Sequence, residues 1–526
     1  MSVAPALRES VDFTFVEGPK FTLNPTGQAP LAGIIEFKTD KPCCADVTVS
    51  DGDRLWFIPT SDEAQTDHKY IILGMRAGRN HTLHVTVNDA QGNRLAHGEP
   101  IRFETAELPD DIPAIEVRYL EAARMEPGVT VFGVRKSARM GAKYYGYLVA
   151  VDTHGEIVWY RETGHTVGDI KRLRNGNIIY LSFDNRAVEY NMLGEVVTEW
   201  YAAARWPDLK TETDTAIPVD AEAFHHEIFE LENGNFLVVS VETRDLPNYP
   251  VSEDIENTET ETVEVVSDVI VEFARDGSVV NRWSLFDILD PYRLGYGSLS
   301  GYWGMKGIPG SRDWSHTNAV VYDPSDDTIV ISVRHQDAVI KFSRATGELV
   351  WILGNHENWK EPWAKHLLEP VGDLQWQYHQ HNSKITDRGT ILLFDNGNFR
   401  ASPGQEKVPA AENYSRVVEY KVNANAQSVE QVWSYGGPGD EAYYSAFICG
   451  AQVLPETGNI LANFGGVLTD DNGEPSDNPT VDLGHVRIVE VEYETQDKVW
   501  ELFIDERDQG KGWDVYRVER FSSLYA

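Results

Sequence analysis

Histidines stand at matching places in two short hairpins of this 526-residue chain. In HHEIFELENGN, His226 lies eight residues before Gly234, and in HQHNSKITDRGT, His381 lies eight residues before Gly389. His316 opens a third copy, HTNAVVYDPSDDTIVIS, with a longer turn at Asp323 to Asp327, and Arg334 ends its second strand, eighteen residues after His316. If these hairpins lie side by side, three imidazoles and one guanidinium face one small volume. Such a set, without a carboxylate cluster or a cysteine ligand set, suits a compact anion such as a sulfuryl or phosphoryl group. The arginine fork binds its oxygens, a neutral imidazole attacks the central atom, and the other cations neutralise the charge that develops.

The elements that must position these residues recur. Six copies of a strand, a Gly- or Asp-centred turn and a second strand end in tryptophan, at Trp159, Trp200, Trp283, Trp351, Trp433 and Trp500, and another hairpin follows each of the first five. Four strands in each of six repeats predict an all-β fold, a six-bladed β-propeller over residues 116–526, whose innermost strands line a central channel. The first unit has only VTVFGV before its hairpin, while DVYRVERF is left over after the last, so the final strand is expected to complete the first blade. Residues 1–115 read as seven or so short strands with turn signals, an immunoglobulin/fibronectin-like β-sandwich, with the linker around Pro109 to Pro113.

The histidine is not part of the structural repeat, because the corresponding positions of other blades are Gly168 and Gly450. A hydrogen-bonded rim role would place it in every blade. His225, His335 and His379 are expected to point away from the mouth by strand alternation and to serve as packing or supporting partners. The six tryptophans read as blade-packing residues. Long insertions between second and third strands are expected on the histidine rim, where they form a lid or cleft walls, and the acidic stretch from Ser252 to Glu264 reads as a solvated flap.

The chain carries 83 acidic and 46 basic residues, a formal net charge of −37, with no basic stripe, which excludes nucleic acid as an expected partner. No apolar run is long enough to cross a bilayer, and MSVAPALRESVDF lacks the features of a signal peptide, so the expectation is a cytoplasmic protein without a membrane partner. Three cysteines, Cys43, Cys44 and Cys449, imply no disulfide framework. Two other functions compete with anion chemistry. His226, His316 and His381 together could bind a divalent metal in a lyase or hydrolase, or the propeller could bind a partner protein without catalysis.

The segments HHEIFELENGN, DWSHTNAVVYDPSDDTIVISVRHQ, WILGNHENWKEPWAKHLLEPVG and QYHQHNSKITDRGTILLFDNGN resemble the bacterial PAPS-independent aryl sulfate sulfotransferases, and the resemblance covers nearly the whole chain. It implies a sandwich followed by a six-bladed propeller and a ping-pong transfer of a sulfuryl group from a phenolic sulfate ester to a phenol, with no nucleotide or metal cofactor. By position it implies His381 as the nucleophile that becomes sulfated, His226 and His316 as its supporting pair, and Arg334 as the holder of the sulfuryl oxygens.

Overall fold

The structure is a computed structural model that describes residues 13–89, 91–136, 146–439 and 442–525; the opening MSVAPALRESVD lies outside them. The fold is all-β, and the one α-helix among the described residues is the single turn Leu285–Ile288. Six sheets, numbered I to VI here, each contain four antiparallel strands. Sheet I holds Ile157–Glu162, Tyr147–Val151, Val129–Lys136 and Trp513–Phe521, and sheet II holds Val167–Arg172, Ile178–Ser182, Arg186–Tyr190 and Val196–Ala202. Sheet III holds His225–Glu230, Phe236–Pro250, Thr260–Phe273 and Val279–Ser284, and sheet IV holds Thr317–Asp323, Thr328–Val333, Ala338–Ser343 and Leu349–Gly354. Sheet V holds His381–Ile385, Ile391–Asp395, Arg416–Asn423 and Ser428–Gly436, and sheet VI holds Gly450–Val453, Ile460–Thr469, Leu483–Val491 and Lys498–Ile504.

The leftover strand does complete the first sheet: Val518 lies opposite Phe132 and Glu519 opposite Val131. The first-listed strand of each of sheets II to VI, together with Trp513–Phe521 of sheet I, packs against its counterparts in the two neighbouring sheets, in the order I to VI and from VI to I. These are the inner strands.

Two sets of hydrogen bonds join neighbouring sheets. On the outside, the indole N–H of a repeat tryptophan donates to a turn carbonyl of the next sheet: Trp159 to Met192 (2.9 Å), Trp200 to Arg275 (2.9 Å), Trp283 to Arg344 (3.0 Å), Trp433 to Tyr493 (2.8 Å) and Trp500 back to Thr153 of sheet I (2.9 Å). The turns that receive them are tight. Gly277 has φ +85°, and a Cβ there would sit 2.5 Å from Ile217 and 2.6 Å from the Pro218 carbonyl, so only glycine fits.

On the inside, the inner strands of sheets I to V break register, at Val515/Val518, Val167/Ile170, His225/Ile228, Thr317/Ala319 and His381/Lys384. Such bulges bend a strand, re-aim side chains and free backbone groups from the ladder. Side chains of neighbouring sheets also bond to the backbone of the inner strands, which form the open edges of their sheets. Asp169 accepts from Ile228 N–H (3.3 Å), Glu227 from Val320 N–H (3.0 Å), Asn382 from Ala451 N–H (3.0 Å) and Gln452 from Arg520 N–H (2.9 Å), while Asn318 donates to the Gln380 carbonyl (2.8 Å).

The N-terminal region forms the expected seven strands, built on the 18-residue strand Gly33–Ser50. Its first half pairs with Phe15–Leu23 and Gln65–Ile72, its second with Leu55–Ile58 and Asn80–Asn88. The region is tied to the rest by one hydrophobic cluster that includes Phe37, Val47 and Leu83 together with Val149, Trp500 and Leu502, and by an ion pair between Arg54 and Asp152. The insertion of sheet III differs from a simple loop: its strands run on to Pro250 and resume at Thr260, with Tyr249 opposite Glu261. Alternating polar and β-branched residues in ETETVEVV extend the hairpin, and the exposed flap shrinks to its tip.

Trp200 is fully buried, so Trp200→Phe leaves the Arg275 carbonyl without its indole donor at a cost of about 1–3 kcal/mol. Among the described residues the Trp351 indole shows no such bond, and Trp351→Phe is expected to cost less. Urea unfolding of the two variants beside the parent measures the difference, and equal losses would remove the hydrogen bond as the cause.

Candidate active site

His226 and His381 lie at the register breaks of sheets III and V, and His316 immediately precedes the inner strand of sheet IV. His226 and His316 have φ of +62° and +52°, a left-handed conformation rare for residues with a side chain. Strain of this kind persists where the surroundings over-determine it, and here it turns both rings towards each other, with centroids 4.8 Å apart at 74°. Arg334 follows the second strand of sheet IV in a short 3₁₀ turn, Arg334–Gln336.

The four residues form one electrostatic neighbourhood. Burial holds the His381 imidazole well below its ordinary pKa, and Arg334 and then Arg517 push it further down. Burial does the same to His226, with His316, His225 and His381 adding to it, and to His316, with Arg334 adding. All three rings are therefore neutral at physiological pH. The Arg334 guanidinium donates to the Ala446 carbonyl (3.2 Å) and makes no carboxylate ion pair among the described residues, and burial lowers its pKa from the ordinary arginine value.

Hydrogen bonds fix which nitrogen of His381 carries the proton. The Asn396 amide nitrogen donates to the carbonyls of Ser445 (2.8 Å) and Ile448 (3.2 Å), which turns its oxygen towards His381 Nδ1 at 2.7 Å. Nδ1 must then be the donor, and Nε2 keeps its lone pair. His316 Nδ1 lies 2.5 Å from Asp313 Oδ2, whose other oxygen accepts from the Trp303 indole (3.0 Å). Burial raises the Asp313 carboxyl to about 6. His226 Nδ1 meets His225 Nδ1 at 2.6 Å, while His225 Nε2 faces the Ser240 carbonyl (3.2 Å) and Asp268 (3.3 Å). Of the two facing Nδ1 atoms one donates and the other accepts, which ties the two rings together.

His225, His335 and His379 act as the supporting partners expected of them, but they do so from within the cluster and are not turned away from it by strand alternation. His225 bonds His226 directly, His335 stacks on His316 (4.7 Å, 25°), and His335 and His379 have centroids 5.9 Å apart. Strand alternation fails because the chain here is bulged or turned. Supporting residues that sequence reasoning missed are Asp313, Asn396 and Arg517. Asp313 had a local signal, three residues before His316 in DWSH. Asn396 follows the second strand of its hairpin just as Arg334 follows its own, so the same logic of a returning strand reaches it. Arg517 lies in the leftover strand, 3% exposed, its guanidinium donating to the carbonyls of Cys449, Tyr516 (3.2 Å) and Asn318 (3.2 Å), and it had no signal in the histidine motifs.

His226, His316, His335, His379 and His381 all have depressed pKa values in the folded state, burial first among the causes. Unfolding lets each take up a proton below its ordinary pKa of about 6.5. Their contribution to stability is thus complete above that pH and is lost as pH falls towards the folded values, by up to about 1.4 kcal/mol per pH unit for each. Asp169, Asp313 and Asp514, raised to about 6 by burial, oppose this by binding protons in the folded state between that value and the ordinary carboxylate range. The histidines are more numerous, so the thermal midpoint is expected to fall between pH 7 and pH 5. A midpoint that is flat or rises over that interval would contradict neutral, buried imidazoles.

Residues 116–517 match the family model described as Arylsulfotransferase (ASST). Two curated relatives, the arylsulfate sulfotransferases AssT of Escherichia coli O6:H1 and of Lelliottia amnigena, are each 26% identical, over 400 and 404 residues, 66% and 67% of this chain and 61% of each relative. The chain thus spans about three fifths of the length of the curated relatives it matches. Among solved structures, an auxiliary nutrient binding protein from Bacteroides thetaiotaomicron aligns over 93% of this chain and 99% of its own at 8% identity, with a TM-score of 0.28, too low to support a fold assignment. The family match contains sheets II to VI, sheet I up to residue 517, and every one of the four histidine and arginine positions. The chain belongs to the arylsulfotransferase family.

Proposed function

We propose that this protein is an aryl sulfotransferase that moves a sulfuryl group from a phenolic sulfate ester to a phenol through a sulfohistidine at His381. The observation that carries the proposal is the Asn396 clamp. It commits Nδ1 of His381 to donation and leaves an uncharged Nε2 in a buried site between two cations. In the first half-reaction the Nε2 lone pair attacks sulfur and the bond from sulfur to the aryl oxygen breaks, releasing a phenolate. In the second, the acceptor oxygen attacks sulfur, the S–N bond breaks and the electron pair returns to Nε2. His316, held by Asp313, takes the acceptor's proton in that step. Arg334 uses the N–H groups not spent on Ala446 to hold the sulfuryl oxygens, and His226 stabilises the transferring group from the opposite side.

On this proposal the six sheets are the blades of a propeller formed by residues 116–526, and residues 1–115 form a sandwich packed against it. The order of inner-strand contacts, the return bond from Trp500 to Thr153 and the strand that completes sheet I support the ring. The route needs no metal. A divalent cation on His226, His316 and His381 has less support, because the one group of three potential ligands with donor atoms within 4.8 Å of one another, among the described residues, is Asp313, His316 and His335. In that group both Asp313 oxygens accept hydrogen bonds, and the Nδ1 atoms of His316 and His335 face Asp313.

The test is intact mass of EDTA-treated protein after brief exposure to 4-nitrophenyl sulfate, with His381→Ala alongside. A gain of one sulfuryl group, absent from the variant and discharged by phenol, is the expected result. Activity that appears only with added metal, without an adduct, would overturn it. Asn396→Ala, which frees the His381 ring to adopt the other tautomer, is expected to lower kcat by about a hundredfold or more with a smaller change in KM. Unchanged adduct formation in Asn396→Ala would show that the clamp does not set the nucleophile.

A further inference from the structure

Arg334 and His381 stand on neighbouring sheets, so the spacing between the guanidinium and the proposed nucleophile depends on what holds sheet V against the end of sheet IV. Two short segments meet there. One is the 3₁₀ turn Arg334–Gln336 with Asp337 behind it, and the other is residues 377–380, which lead into His381. Three residues of the second segment reach across to sheet IV. The Gln377 amide donates to the Leu353 carbonyl (2.9 Å), and the Gln380 amide donates to the Ser332 hydroxyl (3.0 Å) and the Ala338 carbonyl (2.9 Å). Between them, the backbone N–H of His379 donates to the Asp337 carboxylate at 2.7 Å, and His379 Nδ1 lies 3.0 Å from the same oxygen.

Asp337 is the joint of this seam. Its own N–H donates to the Arg334 carbonyl (3.1 Å), which closes the turn. It has φ +48° and His379 has φ +52°, so both residues that meet here are left-handed. Such strain persists only where partners hold it. From the far side, the Arg293 guanidinium donates to the Gln336 carbonyl (3.1 Å) and to the Gln336 side-chain oxygen (2.9 Å), so the turn is gripped on both flanks. Arg334 at its start therefore goes where Asp337 at its end goes.

The Asp337 carboxylate is buried and meets no lysine or arginine within ion-pair distance among the described residues; its close partner is His379. A buried carboxylate is costly to keep, more so than a neutral side chain that merely fills space. Its field reaches both halves of the seam. Burial lowers the Arg334 pKa, against Asp313 and then Tyr444 and Asp337, and burial followed by Arg334 lowers that of His379, again against Asp337. We propose that Asp337 is a positioning residue for sulfuryl transfer: by binding the segment that leads into His381, it sets the reach of Arg334 to a sulfuryl group on that histidine. It acts only through the residues it joins. The inference rests on the sulfuryl-transfer proposal and adds a residue to it.

A double-mutant cycle tests it, with 4-nitrophenyl sulfate as donor and phenol as acceptor: parent, Arg334→Ala, Asp337→Ala and the double variant. Asp337→Ala is expected to lower kcat/KM by about thirtyfold, chiefly through kcat, but by less than about threefold once Arg334 is gone, because the group it places is no longer there. Asp337→Asn keeps an acceptor for the His379 N–H and is expected to stay within about threefold of the parent. Equal losses with and without Arg334, the signature of general destabilisation, overturn the inference. If Asp337→Ala does not fold, Asp337→Asn takes its place in the cycle, and a loss that persists without Arg334 overturns it in the same way. Calorimetric binding of 4-nitrobenzenesulfonate, which has no sulfuryl group to transfer, repeats the cycle without chemistry. Binding that Asp337→Ala weakens only where Arg334 is present, in a parent that forms no sulfohistidine, would support the positioning role while sinking the transferase proposal. Binding weakened equally in both backgrounds, in a parent that does form the adduct, would sink the positioning role alone.

Discussion

A backbone N–H or C=O released from a strand pair inside a protein must find another partner, and the centre of this molecule is organised by that requirement. Five inner strands bulge at one end. The inner strands are also edges of their sheets, so their inward backbone groups need partners from the neighbouring sheet. Asp169, Glu227, Asn382 and Gln452 provide them from sheet to sheet, and Asn318 works in the opposite sense, as donor to a carbonyl. The strands that aim the histidines are thus also those that join the sheets. The tryptophan bonds at the periphery repeat the logic with a single donor at five of the six junctions.

Because the centre is dry, its charges act strongly. Five imidazoles are driven to neutrality chiefly by burial, while Arg334 and Arg517 remain beside them without carboxylate partners among the described residues. Two guanidinium groups and three buried carboxylates, Asp268, Asp313 and Asp337, therefore frame the histidines at the heart of a chain with formal charge −37.

Much of this was legible in the amino-acid order. The tryptophan spacing and glycine turns marked six sheets, DVYRVERF without a partner marked the strand that completes sheet I, and the register of His226 and His381 marked one mouth. Where local periodicity was trusted too far, it misled. His225, His335 and His379 were placed outward by alternation, but a bulge or a turn cancels alternation over just those residues. Arg517 is far from the histidine motifs in sequence and reaches them only through pairing, which no short-range pattern encodes.

The strand Trp513–Phe521 has a consequence for how the molecule comes into being. Until residue 521 has been made, Val129–Lys136 has no partner on one side, and sheet I stands as an open edge. Arg517, which binds the Cys449 and Asn318 carbonyls, arrives with the same strand. A growing chain can therefore build most of its sheets and still hold an unfinished, inactive centre, so that structural completion and chemical competence are reached in the same event. On the proposed covalent route, such an order would keep half-made molecules from consuming donor without delivering it.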